Sequence, residues 1–150
     1  FIKLQNLNWM NKNINSFNIR VYGLIVESGS ILLSKELIMG EEVFKFPGGG
    51  LEYGEGLIEG LNREFEEEMG QRINNVKHYY TTDFFQRSSF KSTDQLISIY
   101  YTGKLKYKVV NKIDKPKKDQ PVFIWEKLER VNEDKFKFPI DQLIIKKLKN

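Results

Sequence analysis

The segment GGGLEYGEGLIEGLNREFEEEMG, residues 48–70, constrains the fold more than any other part of the sequence. It begins with three consecutive glycines and then places seven glutamates within residues 52–68, where Arg63 is the one basic residue. Like charges at helical spacing repel each other and destabilise an isolated helix. The sequence therefore indicates that a positive group compensates these carboxylates in the folded protein.

Residues 57–69 have the spacing of an amphipathic helix, and Gly70 is suited to end it in the left-handed conformation. Its apolar residues are predicted to form one core-facing stripe, which consists of Leu57, Ile58, Leu61, Phe65 and Met69. The glycines at residues 48–50 are predicted to form a loop whose backbone can approach a ligand closely.

The acidic face of this helix is a candidate metal site. Glu64, Glu67 and Glu68 are spaced i, i+3, i+4, which places them on one face beside the apolar stripe. Carboxylates at the edge of a core are costly when they are unpaired. Mg²⁺ and Mn²⁺ prefer oxygen ligands and compensate such a cluster, whereas a solvated charged face is the alternative.

The rest of the pattern predicts an α/β fold, a mixed β-sheet with helices packed on it. Strands are predicted at residues 19–26, 31–34, 43–46, 76–85, 95–101 and 122–128. A last helix is predicted to start at Pro139, because proline suits the first helical turn.

Composition limits the class of protein. A length of 150 residues is typical of one domain, and we assign residues 1–17 to an N-terminal extension and 18–150 to that domain. Cysteine is absent, which excludes disulfides and thiolate chemistry. No apolar run predicts a membrane span and no signal peptide is evident, so we expect no membrane partner and a cytoplasmic location. A homodimer is compatible with the sequence.

The formal charge is distributed unevenly along the chain. Residues 52–68 hold seven acids and one arginine, a sum of −6, so the other residues account for +10 of the total of +4. A background rich in lysine and asparagine accounts for this excess. A basic rim that steers a phosphorylated ligand toward the acidic centre is the alternative.

The glycine run and the acidic helix together resemble the signature of the Nudix hydrolases, G-x5-E-x7-R-E-U-x-E-E-x-G-U, in which U is a bulky apolar residue. The matching positions are Gly49, Glu55, Arg63, Glu64, Phe65, Glu67, Glu68 and Gly70. The last U is Gln71, a departure, and we expect Ile73 to take its packing role. The resemblance implies a Nudix-like α/β/α sandwich.

The resemblance also implies an activity, hydrolysis of a diphosphate linkage in a nucleotide-type small molecule with Mg²⁺ or Mn²⁺. It implies that Glu64, Glu67, Glu68 and the Gly49 carbonyl are metal ligands. Glu55 is implied to pair with Arg63 and to orient those ligands. Glu64 is the first candidate for the general base of the reaction.

Other candidate site residues are supported by position alone. Asp119, in the predicted loop at residues 111–120, is the second candidate for the base, although a turn-forming role is its more common one. Tyr53 and Phe85 are candidates for stacking on a nucleobase, and Arg87 is a candidate for contacting a phosphate. Two other functions stay open, a nucleotide-sensing module without turnover and removal of phosphates from the 5′ end of RNA.

Overall fold

The computed structural model of the chain describes residues 13–150. Most of the predicted N-terminal extension, residues 1–17, lies outside the described residues. The last two residues of that segment already belong to the first strand. No helix within the described part is long and apolar enough to cross a bilayer.

The described residues form seven strands and two α-helices. The strands are β1 (Ser16–Glu27), β2 (Ser30–Ile38), β3 (Glu41–Lys45), β4 (Gly48–Gly50), β5 (Asn74–Thr81), β6 (Asp94–Lys104) and β7 (Val122–Lys127). The helices are α1 (Leu57–Met69) and α2 (Pro139–Lys149), and two short 3₁₀ helices, Leu128–Arg130 and Glu133–Lys135, precede α2.

The sheet is mixed, as predicted. β1 and β6 run parallel along ten residue pairs, from Ser16 with Asp94 to Ile25 with Gly103. The other pairings are antiparallel, with β2 beside the end of β1, β3 and β7 on the two sides of β2, and β5 beside β6. This arrangement makes β1 the strand that joins the two halves of the sheet.

The glycine run at residues 48–50 is a short strand and not the predicted loop. Gly50 pairs with Arg20 and Gly48 pairs with Tyr22, so that β4 lies antiparallel to β1. Glycine has low strand propensity, and for that reason the local sequence did not predict this pairing. The pairing fixes the glycine backbone against the central strand of the fold.

Helix α1 has the predicted bounds. Gly70 ends it with φ of 69° and donates its N–H to the Glu66 carbonyl at 3.0 Å. Leu61 and Phe65 are fully buried, whereas Leu57 and Ile58, predicted to face the core, are exposed. The apolar stripe is therefore buried in the middle turns of the helix and exposed in its first turn.

Two hydrophobic cores lie on opposite faces of the sheet. One contains Leu61 and Phe65 of α1 with Val21 of β1, and the other contains Ile144 of α2 with Tyr22 of β1. Successive residues of a strand point to opposite faces, which explains how β1 contributes to both cores. The fold is the predicted α/β/α sandwich.

A buried polar pair connects α2 to the sheet. Asp141 is 3% exposed, and its Oδ1 accepts a hydrogen bond from the Tyr100 hydroxyl at 2.7 Å. Burial raises the pKa of Asp141 to about 6, although the Tyr100 hydrogen bond and the charges of Lys45 and Arg20 act in the opposite direction. The folded protein therefore holds the Asp141 proton more tightly than the unfolded chain does.

This pair predicts a pH dependence of stability. Because the pKa of Asp141 rises from 3.8 to about 6 on folding, the contribution of Asp141 to the free energy of unfolding is most favourable below pH 3.8. This contribution is lost as the pH rises through 6. Each pKa unit is worth about 1.4 kcal/mol, so the loss is roughly 3 kcal/mol. Asp141→Asn keeps an oxygen acceptor for Tyr100 and is expected to remove this pH-dependent part of the free energy of unfolding.

Urea unfolding of both proteins in EDTA at a series of pH values measures the difference. The matched control is Asp134→Asn, at an exposed aspartate, which is expected to show the pH dependence of the wild type. An Asp141→Asn variant whose free energy of unfolding falls with pH as steeply as that of the wild type would contradict the assignment.

Candidate active site

A cleft of about 1010 Å³ opens between the second half of α1, the glycine strand β4 and the segment at residues 110–121. Its lining includes Gly49, Glu64, Glu67 and Glu68, four of the residues singled out in the sequence. The volume lies at the upper end of the range for small-molecule sites. The structure therefore brings these four residues to a single concave surface.

Arg63 contacts more of the acidic residues than we expected of a single arginine. Its guanidinium nitrogens lie 2.8 to 3.6 Å from carboxylate oxygens of four glutamates, which are Glu52, Glu55, Glu64 and Glu67. One positive charge does not neutralise four negative ones, but it fixes their positions relative to each other. Arg63 is thus the internal cation that holds the acidic segment together.

Glu55 is the strongest partner of Arg63. It accepts from Nε at 3.0 Å and from Nη2 at 2.8 Å, while Nη2 also donates to the Gly50 carbonyl at 2.9 Å. These hydrogen bonds from Arg63 hold the pKa of Glu55 below its ordinary value, and a bond from the Glu52 N–H adds to the effect. The pair links the start of α1 to β4.

Glu64 packs directly against Gly49. A Cβ atom at Gly49 would lie 2.6 Å from the carboxyl carbon of Glu64, so only glycine leaves room for this carboxylate. Burial raises the pKa of Glu64, and the hydrogen bond from Arg63 opposes that rise. The requirement for glycine at residue 49 therefore comes from the position of a carboxylate and not from backbone conformation.

Gly49→Ala is expected to lower activity without unfolding the protein. The new methyl group would displace the flexible Glu64 side chain, and a displacement of about 1 Å at a reacting centre can cost on the order of 100-fold in rate. We expect kcat/KM to fall by about 10-fold to 100-fold and the urea midpoint to stay close to that of the wild type. Steady-state kinetics and urea unfolding of the same preparation measure both, and unchanged kinetics would contradict this role of Gly49.

Glu68 has the least compensated carboxylate of the cleft. Its Oε2 is buried and has no hydrogen-bond partner among residues 13–150. Burial raises the pKa of Glu68 to about 8, and the negative charges of Glu36 and Glu64 contribute to the rise. Buried polar atoms without a partner are rare in folded proteins, and a bound cation is one group that can satisfy such an oxygen.

The acidic residues fit a divalent cation by their chemistry. Within the described residues, no three histidine, aspartate or glutamate side chains are arranged as they stand to hold a metal ion. Arg63 instead contacts Glu64 and Glu67. The donors are all hard oxygens, the type that Mg²⁺ and Mn²⁺ prefer, and the buried Glu68 Oε2 is left for a further partner.

The cleft also contains charged residues that were not identified from the sequence, among them Arg20 on β1, Glu36 on β2 and Lys45 on β3. Lys45 is 6% exposed and its Nζ lies 3.4 Å from Glu36 Oε2. A signal was present, because Arg20 and Lys45 interrupt apolar strands close to the glycine run. A charge at a buried strand position is unusual unless it is paired or functional.

Two side-chain amides hold the loop that forms one wall of the cleft. Gln71 exchanges hydrogen bonds with the backbone carbonyl and N–H of Tyr107, at 2.8 and 3.1 Å. Asn111 makes the same pair of bonds to Phe123, at 2.7 and 2.9 Å. The departure of Gln71 from the apolar residue of the signature is therefore explained by this pairing, and Ile73 is buried as expected.

The other candidate residues fall in two groups. Asp119 lines the cleft in a left-handed conformation with φ of 59°. Tyr53 is fully exposed before α1, and neither it nor Phe85 nor Arg87 is among the described residues that line the cleft. Phe85 and Arg87 lie on the connection between β5 and β6, where Arg87 bridges to Gln95. The structure thus brings Asp119 to the cleft and leaves the three proposed substrate contacts outside it.

Comparison with protein families gives a match to the NUDIX domain over residues 17–147, which is most of the chain. No curated protein matches the chain significantly.

Solved structures of the same fold are numerous. The chain is similar to a NUDIX hydrolase from Nitrosomonas europaea, with 21% identity, a TM-score of 0.68 and 88% of each chain covered. It is similar to a MutT protein from Bacillus halodurans, with 18% identity, a TM-score of 0.67, and 86% of this chain and 80% of that one covered. A MutT protein from Methanosarcina mazei Go1 has 20% identity and a TM-score of 0.63, with 90% of this chain and 94% of that one covered. At these identities the similarity demonstrates a shared fold.

Proposed function

The chain belongs to the Nudix family of hydrolases acting on phosphoric anhydrides, and we propose that it splits a diphosphate linkage in a nucleoside diphosphate derivative or a nucleoside triphosphate with the help of Mg²⁺ or Mn²⁺. In this reaction water attacks phosphorus and the anhydride P–O bond breaks. The two products are a nucleotide and a second phosphorylated molecule or diphosphate.

The observation that supports this proposal most strongly is the buried Glu68 Oε2, which has no partner among the described residues and belongs to the same cleft as Glu64, Glu67 and Gly49. Unpaired carboxylates in such a position are costly in a protein that does not bind a cation there. Glu64, Glu67, Glu68 and the Gly49 carbonyl would hold the metal. A bound Mg²⁺ or Mn²⁺ supplies neutralisation of phosphate charge and activation of water.

The protein residues supply position and proton transfer. Arg63 and Glu55 fix the start of α1 against Gly50, and Arg63 also orients Glu64. Glu64 is our first candidate for the group that takes the proton from the attacking water, because burial raises its pKa and makes it a stronger base. Asp119, which also lines the cleft, is the second candidate.

A substrate panel tests the proposal. Nucleotide sugars, dinucleotides and nucleoside triphosphates are incubated with the protein and Mg²⁺ or Mn²⁺, and the products are separated by ion-exchange chromatography. We expect turnover of at least one class, loss of turnover in EDTA, and incorporation of oxygen from isotope-labelled water into a phosphate product. Tight nucleotide binding without hydrolysis across the panel would favour a sensing module instead.

A second candidate function is removal of phosphates from the 5′ end of RNA. Lys112, Lys117 and Lys118 line the same cleft as the acidic residues. Lysines near a phosphate site increase affinity for a polyanionic chain, and that affinity decreases with salt. A 5′-triphosphorylated RNA oligonucleotide in the panel tests this function by release of phosphate or diphosphate.

A further inference from the structure

Arg20 lies in the cleft at the point where β1 meets the glycine strand. It pairs with Gly50 across the two strands, and its Nη1 is 3.6 Å from the position that a Cβ atom of Gly50 would occupy. It is the one arginine among the described residues that line the cleft. The absence of a side chain at Gly50 therefore leaves space in front of the Arg20 guanidinium.

One end of the Arg20 guanidinium is fixed by the protein. Its Nε donates to the Tyr22 hydroxyl at 2.6 Å, and its Cζ is 5.7 Å from the centre of the Tyr22 ring. The Tyr22 ring stacks on Tyr100 with centroids 5.2 Å apart, and Tyr100 in turn donates to the buried Asp141. A chain of buried contacts thus holds Arg20 in place from β1 to α2.

The other end of the guanidinium is available for a ligand. Within residues 13–150, Nη1 and Nη2 of Arg20 make no hydrogen bond and Arg20 forms no direct ion pair, although the negative charges of Glu36 and Glu64 act on it electrostatically. Lys45 and Arg63 differ in this respect, because Lys45 pairs with Glu36 and Arg63 contacts several glutamates. Of these three cations, Arg20 alone combines a fixed orientation with two uncommitted donor groups.

Two parallel N–H donors on a fixed planar group match the oxygens of a phosphate, which arginine binds in a bidentate manner. We propose that Nη1 and Nη2 of Arg20, oriented by Tyr22, bind one phosphate group of the diphosphate in the cleft. This inference rests on the proposed function. It assigns substrate binding to Arg20 and a positioning role to Tyr22.

Binding of inorganic pyrophosphate, measured by calorimetry in saturating Mg²⁺, tests the assignment without turnover of a substrate. Arg20→Lys keeps the charge and removes the planar pair of donors. Because hydrogen bonds between charged groups are worth more than neutral ones, we expect pyrophosphate to bind about 10-fold to 100-fold more weakly. Arg72→Lys is the matched control, since Arg72 is not among the described residues that line the cleft and lysine keeps the charge of its exposed ion pair with Glu66.

Tyr22→Phe removes the hydroxyl that orients Arg20 and keeps the stacked ring. We expect a loss of about 3-fold or more alone, and no additional loss when it is combined with Arg20→Lys, because residues that act through one interaction are not additive. This non-additivity distinguishes positioning from a general structural effect. If Arg20→Lys fails to fold, the Tyr22→Phe measurement alone decides the question.

The outcomes separate this inference from the proposed function. An affinity of Arg20→Lys within about 3-fold of the wild type, a similar loss in Arg72→Lys, full additivity of the two variants, or no binding of pyrophosphate by the wild type would overturn the assignment of Arg20. Absence of turnover across the substrate panel, with Arg20-dependent pyrophosphate binding intact, would instead overturn the hydrolase proposal and leave the assignment standing.

Discussion

Glu68→Gln is expected to lower kcat by a factor on the order of 10³ in saturating Mg²⁺. The substitution keeps the size of the side chain and one oxygen, and it removes the negative charge. In the wild type the Glu68 carboxylate has a buried oxygen without a partner among the described residues. In the proposed metal site this carboxylate is a ligand, so its loss is expected to remove transition-state stabilisation.

The same variant has a second expected property. Burial and the neighbouring charges of Glu36 and Glu64 raise the pKa of Glu68, which means that its ionised form disfavours the folded state. Glu68→Gln is therefore expected to unfold in EDTA at a temperature at least as high as that of the wild type. Lost activity combined with retained stability distinguishes a ligand from a packing residue.

Glu59→Gln is the matched control for this experiment. Glu59 lies in the first turn of the same helix, and its Oε1 accepts from the Gly56 N–H at 3.3 Å. Glutamine can make the same capping interaction. We expect unchanged turnover in this variant. A kcat of Glu68→Gln within about 10-fold of the wild type would contradict a metal-binding role, since a lost ligand costs more than that.

Gly48→Ala is expected to destabilise the fold by roughly 3 kcal/mol or more. Gly48 has a φ of 143°, which side-chain-bearing residues rarely adopt. A Cβ atom there would overlap the Val21 carbonyl oxygen and lie 2.8 Å from Tyr22 Cα. Both contacts are with the backbone of the central strand, so no side-chain movement relieves them.

Urea unfolding measures this effect, and Gly50→Ala is its control. A Cβ atom at Gly50 would make only an ordinary contact of 3.6 Å with Arg20, so we expect the free energy of unfolding to change little. Equal stability of the Gly48→Ala and Gly50→Ala variants would show that β4 does not need its observed backbone conformation. Each of the three consecutive glycines is therefore favoured for a different reason. Gly48 adopts an unusual backbone conformation, Gly49 leaves space for the Glu64 carboxylate, and Gly50 leaves space beside Arg20.

The elements that could be predicted from sequence are those with strong local signals. Helix α1 has its predicted bounds because Gly70 is suited to a left-handed C-cap and the apolar spacing spans the preceding turns. The β1–β2 hairpin and the start of α2 at Pro139 also follow from local residues. Short-range preferences determine these elements, so the local sequence was sufficient to predict them.

The elements that could not be predicted depend on distant contacts. The glycine strand exists because β1 offers it a partner, and no local propensity indicates that. Leu57 and Ile58 follow the helical stripe, but both side chains are exposed in the first turn of α1. Periodicity gives the face of a helix and not the extent of the surface that covers it.

The candidate site also combines features that the local sequence predicts with features that depend on distant contacts. The spacing of Glu64, Glu67 and Glu68 predicted a shared helix face, and all three line the cleft. The contribution of Arg20, Glu36 and Lys45 required the pairing of β1, β2 and β3, which brings residues from separate strands together. The roles of all these residues stay predictions until the variants are measured.

The hydrogen-bond pairs made by Gln71 and Asn111 allow two properties of this protein to change separately. These are the selection of a ligand by the loop and the placement of the acidic residues on α1. Each amide supplies one donor and one acceptor, so each makes the two backbone hydrogen bonds that a neighbouring strand would otherwise make with the loop. The loop is therefore anchored at Tyr107 and Asn111, and several of the residues at 112–121 line the cleft. Because the free-energy cost of closing a loop grows only slowly with its length, about 0.6 kcal/mol for each doubling, we expect insertions there to reshape ligand selection while the acidic residues on α1 keep their positions.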